Sequence, residues 1–187
     1  MGNGDIQLEP TAAAVTLRPV TSADEEFLVE VYASTRAEEL AQVQWSADQQ
    51  VQFVRWQYGL QQNEYMARFP DARYEVILVD GHPAGRIWVG IDDEQIRLLD
   101  IALLPEFQNR GVGTLLIHQL IEEASRAGKP LRHMVFVLNN DAHRFYERLG
   151  FVVIEDLGAY QHMEYHPKIN PQINPQITQI TQIKEKG

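Results

Sequence analysis

The sequence contains no cysteine among its 187 residues. This absence excludes disulfide bonds, thiolate metal sites and a covalent acyl-cysteine intermediate. Basic side chains are also scarce: 16 lysines and arginines stand against 26 aspartates and glutamates, a formal net charge of −10. The negative electrostatic potential of such a protein repels nucleic acid and anionic lipid and mildly favours cationic ligands such as amines. An anionic ligand would therefore need a site where positive groups are locally concentrated.

Long apolar runs are missing too, because no stretch approaches the roughly 18 apolar residues that a membrane crossing needs. The first residues, MGNGDIQLEP, have neither a basic start nor a long apolar core, so we predict no signal peptide. Ile6 stands where a myristoylation motif requires serine or threonine. We therefore expect a soluble, cytoplasmic protein with no membrane partner. Its length suits one domain with a full core.

The composition changes twice along the chain. Residues 1–11 read as a loose leader, 12–166 as the domain, and 167–187 as a low-complexity tail rich in isoleucine, proline and glutamine. Within the tail, Pro171 and Pro175 prevent a continuous helix. We expect it to be disordered or loosely docked, with a short terminal helix or an added edge strand as alternatives.

Hydrophobic periodicity predicts the element order β-α-α-β-β-β-α-β-α-β-β. Capping boxes at Ser22–Glu25 and Ser46–Gln49 open the first two helices, and Gly59 inside the second predicts a kink or a close packing contact. Asp80-Gly81 is a strong hairpin signal between two strands. This order predicts an α+β fold, a mixed and mostly antiparallel sheet of about seven strands with helices on both faces.

The stretch from Arg97 to Phe151 carries the clearest local signals. An apolar run, Leu98–Leu104, is closed by Pro105 and is typical of a buried strand. The turn Gln108–Gly113 follows, and after it comes an amphipathic helix whose apolar residues recur at helical spacing. A glycine-containing turn therefore joins a buried strand to the start of a helix.

Such a turn has a chemical use, because the first N–H groups of a helix lack partners and the helix dipole favours an anion there. Gly111 and Gly113 would let a phosphate approach the main chain, and Arg110 could add a charge-assisted hydrogen bond. The alternative is that both glycines only make a tight turn. A bare G-x-G pattern does not decide between the two.

A second pattern lies in Asn139–Phe151, which reads NNDAHRFYERLGF. The two motifs, Q-x-x-G-x-G after a hydrophobic strand and N-x-x-A-x-x-F-Y-x-x-x-G-F further on, resemble those of the GNAT superfamily of acyl-CoA-dependent N-acetyltransferases. The resemblance spans roughly Val15 to Tyr165 and is specific between Leu98 and Phe151. It implies a GNAT-like fold, acetyl-CoA as donor, and a primary amine of a small molecule or protein as acceptor. It also allows a homodimer, although no feature of the sequence decides the oligomeric state.

The resemblance assigns a set of cofactor-binding residues, of which those on the strand would contact the pantetheine arm and those in the turn the pyrophosphate. The set is Ile101, Ala102, Leu103, Gln108, Asn109, Arg110, Gly111, Val112, Gly113, Thr114, Asn139 and Tyr146.

Tyr146 is the catalytic residue that the resemblance implies. A phenol with a pKa of about 10 is mostly protonated at neutral pH and can donate a proton to a departing thiolate. The alternative is a core aromatic, since Tyr146 shares a helix face with Ala142 and Phe145. Asn139 likewise matches a cofactor contact, and a helix N-cap explains it equally well.

No general base is evident in the sequence. The places where the family often carries one fall near Arg97 or Leu99 and near Met134, and none of these is a usable base. Strand alternation puts Asp100 on the face opposite Leu99, unless a bulge reverses it, so Asp100 is a weak candidate. Glu38, Glu39, a water chain, or an acceptor that binds already neutral are the alternatives. His118, His133 and His143 show no metal-ligand spacing, so we assign no metal.

Aromatic residues are concentrated in the helical segment 22–69. They either pack against the sheet as core or, as the resemblance implies, wall an acceptor pocket. The missing base also leaves a catalytically silent acyl-CoA-binding protein as an alternative function. A dinucleotide-binding domain is disfavoured, because Leu116 stands where the third glycine of its motif belongs.

Overall fold

The computed structural model of the chain describes residues 13–167. The predicted leader and all of the predicted tail after Pro167 lie outside the described residues. Seven strands are described: β1 (Val15–Pro19), β2 (Arg73–Val79), β3 (His82–Ile91), β4 (Ile96–Leu103), β5 (Leu131–Phe136), β6 (Val152–Asp156) and β7 (Tyr160–Tyr165). The α-helices are α1 (Glu25–Thr35), α2 (Ala37–Leu40), α3 (Ala47–Arg68), α4 (Val112–Ala127) and α5 (Asn140–Arg148). The short α2 is an element that periodicity does not predict.

The seven strands form one sheet in the order β1-β2-β3-β4-β5-β7-β6. All neighbouring pairs are antiparallel except β4 and β5, which are parallel. The predicted mixed, mostly antiparallel sheet of about seven strands is thus confirmed. The parallel pair follows from the helix between β4 and β5, since a crossover connection returns the chain in the same direction.

The sheet is split along part of its length between β4 and β5. These strands pair only at Ile96–Leu98 with Leu131–His133 and then separate. The main chain of Leu99–Leu103 therefore has no strand neighbour on that side. A strand edge of this kind offers free N–H and C=O groups to a ligand.

The two larger hydrophobic clusters of residues 13–167 cover the two faces of the sheet. The larger includes Leu116, Ile117 and Leu120 of α4 and Tyr146 of α5 against β3, β4 and β5. The other contains Leu28, Tyr32, Val54, Tyr58, Trp88 and Leu99, and thus joins α1 and α3 to the opposite face. The split between β4 and β5 lies between these layers.

The start of α1 differs from the predicted capping box at Ser22–Glu25, which is wrong by one residue. Thr21 is the N-cap of a 3-10 helix, Ser22–Asp24, that directly precedes α1, and its N–H and hydroxyl both donate to the Asp24 carboxylate at 2.8 Å. Arg18 of β1 also donates to Asp24, at 2.6 Å and 2.8 Å. These bonds outweigh burial and hold the pKa of Asp24 well below its usual range. The tertiary bond to Arg18 fixes which carboxylate serves as the cap.

Other local predictions are confirmed. Ser46 and Gln49 form the reciprocal capping box of α3, with hydrogen bonds of 2.9 Å and 3.3 Å. Asp80 and Gly81 both have positive φ, 51° and 80°, as a tight hairpin turn requires. The close packing contact predicted at Gly59 is wrong, because no atom lies within 4 Å of a Cβ built there, and α3 runs through this position as one continuous helix. None of the helices in residues 13–167 is long and apolar enough to cross a membrane.

Candidate active site

A β-bulge in β4 lies where β4 and β5 separate. Trp88 pairs with Asp100 and Val89 with Leu98, so Leu99 has no partner of its own in β3. The bulge corrects the expectation from alternation, because Leu99 packs in one cluster with Trp88, the cross-strand partner of Asp100, so that Leu99 and Asp100 lie on the same face. Asp100 accepts a hydrogen bond from Nε of the buried Arg86 at 2.6 Å. Its carboxylate is thus already engaged by a cation.

The main chain at the bulge is held by Tyr65 of α3. The Tyr65 hydroxyl donates to the Leu99 carbonyl at 3.2 Å. Burial raises the pKa of Tyr65 to about 12, so this phenol remains a donor across the physiological range. The Leu99 carbonyl, in the part of β4 that has separated from β5, thus has a hydrogen-bond partner.

The turn before α4 presents main-chain donors at the same side of the gap. Gly111 has a φ of 80° and precedes the helix, whose first internal hydrogen bond runs from Leu115 N–H to the Gly111 carbonyl at 2.9 Å. The N–H groups of Val112–Thr114 therefore have no partner within the helix. Gln108 directs its side-chain amide to the Leu103 carbonyl at 2.8 Å and fixes the turn to the end of β4.

A groove of about 760 Å³ runs from this turn along the free edge of β4 to α5. The predicted cofactor residues that line it are Ile101, Ala102, Leu103, Gln108, Asn109, Gly111, Gly113, Thr114, Asn139 and Tyr146. Two others do not: the Val112 side chain is buried in the core, and the Arg110 guanidinium lies 5.8 Å from the Phe107 ring. Arg144 and Arg148, which are not among the predicted residues, also line the groove, since their spacing of four on α5 brings both cations to it, and Arg144 pairs there with Asp141 at 2.6 Å. We call this space the donor groove.

A second cavity of about 410 Å³ lies in the gap itself. It shares Ile101, Ala102 and Tyr146 with the donor groove. It also shares Tyr65, Leu99 and other residues with a third cavity of about 500 Å³ on the α3 side of the sheet. The three spaces therefore adjoin, one on each face and one in the gap. We call the second the central cavity and the third the acceptor cavity.

Tyr146 lies at the junction of the donor groove and the central cavity. Its side chain is 3% exposed, and its ring packs against those of Phe145 and Phe151 at centroid distances of 5.1 Å and 5.3 Å. Burial, and to a smaller extent the negative charge of Asp100, raises the pKa of its hydroxyl well above the usual range. Tyr146 is both a core aromatic and a protonated phenol at the wall of a cavity.

His133 of β5 is a residue of this site that the sequence reasoning missed. Its Nδ1 lies 2.8 Å from the Leu98 carbonyl, which can only accept, so Nδ1 carries the proton and Nε2 has a free lone pair. The ring packs on Tyr146 at 4.8 Å and lines the central cavity. Burial lowers its pKa, against the opposing effect of the carbonyl hydrogen bond. The sequence feature that points to His133 is its position beside Met134, one of the two places where the family often carries a base.

The acceptor cavity has aromatic walls. Tyr32, Trp56, Tyr65, Phe69 and Tyr160 line it, and the first four come from the aromatic-rich segment 22–69. Other aromatics of that segment, such as Tyr58, are core. Core packing is thus confirmed for Tyr58 and also for Tyr32, which lines the cavity as well, whereas an acceptor pocket stays a prediction.

Asn139 combines two features. Its side-chain oxygen accepts from the Ala142 N–H at 3.0 Å, so the N-cap interpretation is confirmed. It also borders both the donor groove and the central cavity. Among residues 13–167, no three histidine, aspartate or glutamate side chains are grouped closely enough to hold a metal ion.

A split sheet, a helix start beside the split and a short helix carrying Tyr146 are the features of an acyl-CoA-dependent transferase fold. The sequence profile of the Acetyltransferase (GNAT) family matches residues 35–151, more than half of the chain. The chain belongs to the GNAT acetyltransferase family. Membership in this family supports an acyltransferase with acetyl-CoA as its donor. The dinucleotide-binding alternative is wrong, because its parallel sheet is not the one observed.

Two curated relatives share part of the sequence. An uncharacterized N-acetyltransferase of Methanocaldococcus jannaschii is 30% identical over 107 residues, covering 53% of this chain and 45% of that protein. A Bacillus subtilis protein named as a ribosomal protein bS18 alanine N-acetyltransferase is 36% identical over 84 residues, covering 43% of this chain and 54% of that protein. The chain thus spans about half the length of the curated relatives it matches.

A solved structure shares the fold. The crystal structure of PaiA N-acetyltransferase from Thermoplasma acidophilum in complex with coenzyme A aligns with a TM-score of 0.61. The alignment covers 82% of this chain and 99% of that chain at 21% sequence identity. At this identity the likeness concerns the fold.

Proposed function

We propose that the protein transfers the acetyl group of acetyl-CoA to a primary amine of a small molecule or protein, by direct transfer in the central cavity. The observation that carries this proposal is the adjacency of the three cavities. A donor in the groove and an amine in the acceptor cavity would reach the same gap from opposite faces of the sheet. Direct transfer also suits a chain that has no cysteine to carry the acyl group.

The donor groove fits an anionic ligand despite the negative net charge of the chain. It combines the free N–H groups of the first turn of α4 with the cation Arg148, which has no ion pair within residues 13–167, and with Arg144, which is paired with Asp141. A Cβ added at Gly113 would meet only Phe145 Cζ, at the ordinary distance of 3.8 Å. The fold therefore does not need a glycine there, and the absent side chain leaves room for a phosphate.

Acetyl-CoA supplies an acetyl group activated as a thioester. The amine forms a new C–N bond to the carbonyl carbon while the C–S bond breaks, and two protons must move. We assign Tyr146 as the acid that gives its proton to the departing sulfur, since its raised pKa keeps the phenol protonated.

We assign His133 as the group that receives the proton lost by the amine. Its Nε2 holds a free lone pair, and its lowered pKa keeps the imidazole neutral near pH 7. Asp100 is less suited, because Arg86 already binds its carboxylate. Both assigned groups border the central cavity, where the amine and the thioester would meet.

A catalytically silent acyl-CoA-binding protein is the second candidate, and an acceptor screen separates the two. The protein is incubated with acetyl-CoA and a panel of primary amines, including a peptide that begins with alanine, as the name of the Bacillus relative suggests. Released CoA is read with a thiol reagent, which meets no background because the chain contains no cysteine. We expect amine-dependent CoA release and an acetylated product by mass spectrometry.

Thermal stabilisation by CoA without any acetylated product would favour the silent binding protein. No stabilisation by CoA or acetyl-CoA would overturn both candidates, because a ligand at about 100 times its dissociation constant adds about 2.7 kcal/mol of stability. A cytoplasmic location stays a prediction, and a homodimer is allowed by this proposal but not predicted by it.

A further inference from the structure

Arg97 of β4 is a cation in the wall of the acceptor cavity. Its side chain is half-buried, and its guanidinium lies 5.8 Å from the Phe69 ring. Nη2 donates to Nε2 of His162 at 3.2 Å, and Nδ1 of that imidazole lies 3.0 Å from Glu155. This is the one side-chain hydrogen bond of the Arg97 guanidinium within residues 13–167, although a guanidinium has five N–H donors.

No carboxylate of residues 13–167 forms an ion pair with Arg97. Burial lowers the pKa of its guanidinium, and the positive charges of Arg68 and Arg132 lower it further. Asp92 opposes this shift only from beyond ion-pair distance. A partly desolvated charge without a counter-ion is unfavourable unless a ligand supplies one.

The other charges of this cavity differ from Arg97. Arg36 is paired with Glu39 at 2.9 Å. Glu64 is exposed, so water solvates its carboxylate. Arg97 is therefore the one cation of the cavity wall, among the described residues, that has neither a carboxylate partner nor full solvation.

We propose that Arg97 binds a carboxylate of the acceptor, so that the acceptor is an amine carrying a carboxylate on an aromatic or apolar body. This inference rests on the proposed acetyl transfer for the role of the amine. The body would pack against the aromatic walls of the acceptor cavity, and the amine would extend to the central cavity. Arg97 directly precedes Leu98, whose carbonyl holds His133, so the anion site and the proton acceptor adjoin along β4.

A carboxylate suits this site better than a phosphate. One guanidinium can pair with one carboxylate through two parallel hydrogen bonds, which leaves no charge over. A phosphate dianion would bring a second negative charge into a cavity that Glu64 also borders. The arms of the experiment include both anions.

The test uses acceptors that differ only in the charged group. Three pairs, 4-aminobutyrate, 6-aminohexanoate and 4-(aminomethyl)benzoate with their carboxamides, are compared by kcat/KM, and phosphoethanolamine is the phosphate arm. We expect at least one acid to exceed its amide by about tenfold to a hundredfold, the usual effect of a charge-assisted hydrogen bond. In Arg97→Gln, which keeps an N–H donor and loses the charge, kcat/KM for the acid should no longer exceed kcat/KM for its amide.

Arg68→Gln is the matched control, because it removes a neighbouring positive charge outside the acceptor cavity. It should keep the preference for the acid. The proposal is overturned if no acid is preferred by the wild type, if the phosphate is preferred instead, or if the preference survives in Arg97→Gln.

A binding measurement separates this inference from the proposed function. Calorimetry with 4-methylbenzoate, which has no amine, is performed on the wild type and Arg97→Gln in the presence of CoA. If 4-methylbenzoate binds only when Arg97 is present and no amine is acetylated, the anion site is supported and the proposed acetyl transfer is contradicted. Acetyl transfer that does not depend on Arg97 would support the proposed function and contradict the anion site.

Discussion

At the scale of single residues, the two glycines of the α4 turn have different reasons to be glycine. Gly111 has a φ of 80°, a conformation that side chains rarely adopt, so the turn itself requires it. Gly113 is inside the helix, where a Cβ would make only an ordinary contact with Phe145. The simple tight-turn interpretation therefore explains Gly111 and leaves Gly113 to be explained by a ligand.

We predict that Gly113→Ala folds at least as stably as the wild type, because alanine is favoured over glycine in a helix by up to about 1 kcal/mol. Its CoA affinity should fall by about tenfold, equivalent to about 1.4 kcal/mol, because the new methyl group occupies the space of the phosphate. Gly113→Asp should weaken CoA further by adding a negative charge. Calorimetric titration with CoA checks both, and unchanged affinity in the aspartate variant would remove the phosphate assignment.

His133 should set the acidic limb of the pH dependence. Only the neutral imidazole can accept the proton of the amine. For an acceptor whose amine stays neutral over the whole pH range, kcat/KM should therefore be maximal above the pKa of His133 and fall as the pH decreases through that pKa. Burial puts this pKa below the usual value of about 6.5, and the charged groups near the ring are Asp100 and Arg97 on β4. Tyr146 is the titratable group facing it from α5.

His133→Asn should lower this rate by about 10²–10⁴-fold and abolish the acidic limb. Asparagine keeps a donor for the Leu98 carbonyl, so thermal unfolding serves as the control for packing. A limb that persists unchanged in the variant would assign it to another group. The same shift makes the folded state lose stability as pH falls through the usual histidine range, because the unfolded chain binds that proton more readily.

The residues of the donor groove could largely be placed from the sequence, whereas the proton acceptor could not. Gly111, Gly113 and Tyr146 stand in local motifs, and ten of the predicted cofactor residues do line the groove. The lone pair of His133 depends on a carbonyl 35 residues away, and only the parallel pairing of Leu98 with His133 brings the two together. Such a contact has no signature in local spacing.

At the scale of elements, the approach of β3 to β4 determines the edge that faces the donor. A Cβ on Gly85 would lie 2.1 Å from the Ala102 carbonyl oxygen and 2.9 Å from Leu103 Cα. Both are main-chain atoms, so neither can rotate away. The main chain of β4 beside the donor groove can therefore keep its position only if residue 85 of β3 has no side chain.

We predict that Gly85→Ala destabilises the protein by about 1–3 kcal/mol or more, the usual cost of overpacking, and weakens CoA binding. Gly59→Ala in α3 is the matched control, since a Cβ there meets no atom within 4 Å. It should stabilise by about 0.5–1 kcal/mol through helix propensity alone. Chemical denaturation measures both, and a Gly85→Ala variant as stable as the wild type would contradict the close approach.

The order and type of the elements followed from periodicity and turn residues, but register did not. The register between β3 and β4 changes by one residue at Leu99, which produces the bulge. Pairing is a property of two strands, so alternation within one strand gave the wrong face for Asp100. The capping box before α1 lies one residue earlier than predicted for the same reason, since Arg18 of β1 binds Asp24.

At the scale of the whole molecule, the described residues 13–167 by themselves form the three cavities. They also supply the two larger hydrophobic clusters and the seven described strands of the sheet. We therefore expect the proposed domain to be independent of the segment after Pro167.

A chain truncated after Pro167 should unfold cooperatively and bind CoA with unchanged affinity. Differential scanning calorimetry and CoA titration of the truncated and full chains check this. Loss of the cooperative transition on truncation would show that the removed segment belongs to the folded domain and that the proposed boundary is misplaced.

The central claim is that acetyl transfer occurs in the gap between β4 and β5 with Tyr146 as the proton donor. Tyr146→Phe keeps the ring that packs on Phe145 and Phe151 and removes only the hydroxyl. The most direct measurement is kcat of this variant on an acceptor that the wild type acetylates, together with its melting temperature and CoA affinity. We predict a fall in kcat of about 10²–10⁴-fold, or about 2.7–5.4 kcal/mol, with near-normal melting and CoA binding. Full turnover in Tyr146→Phe would contradict the claim and leave Tyr146 as a packing residue of the core.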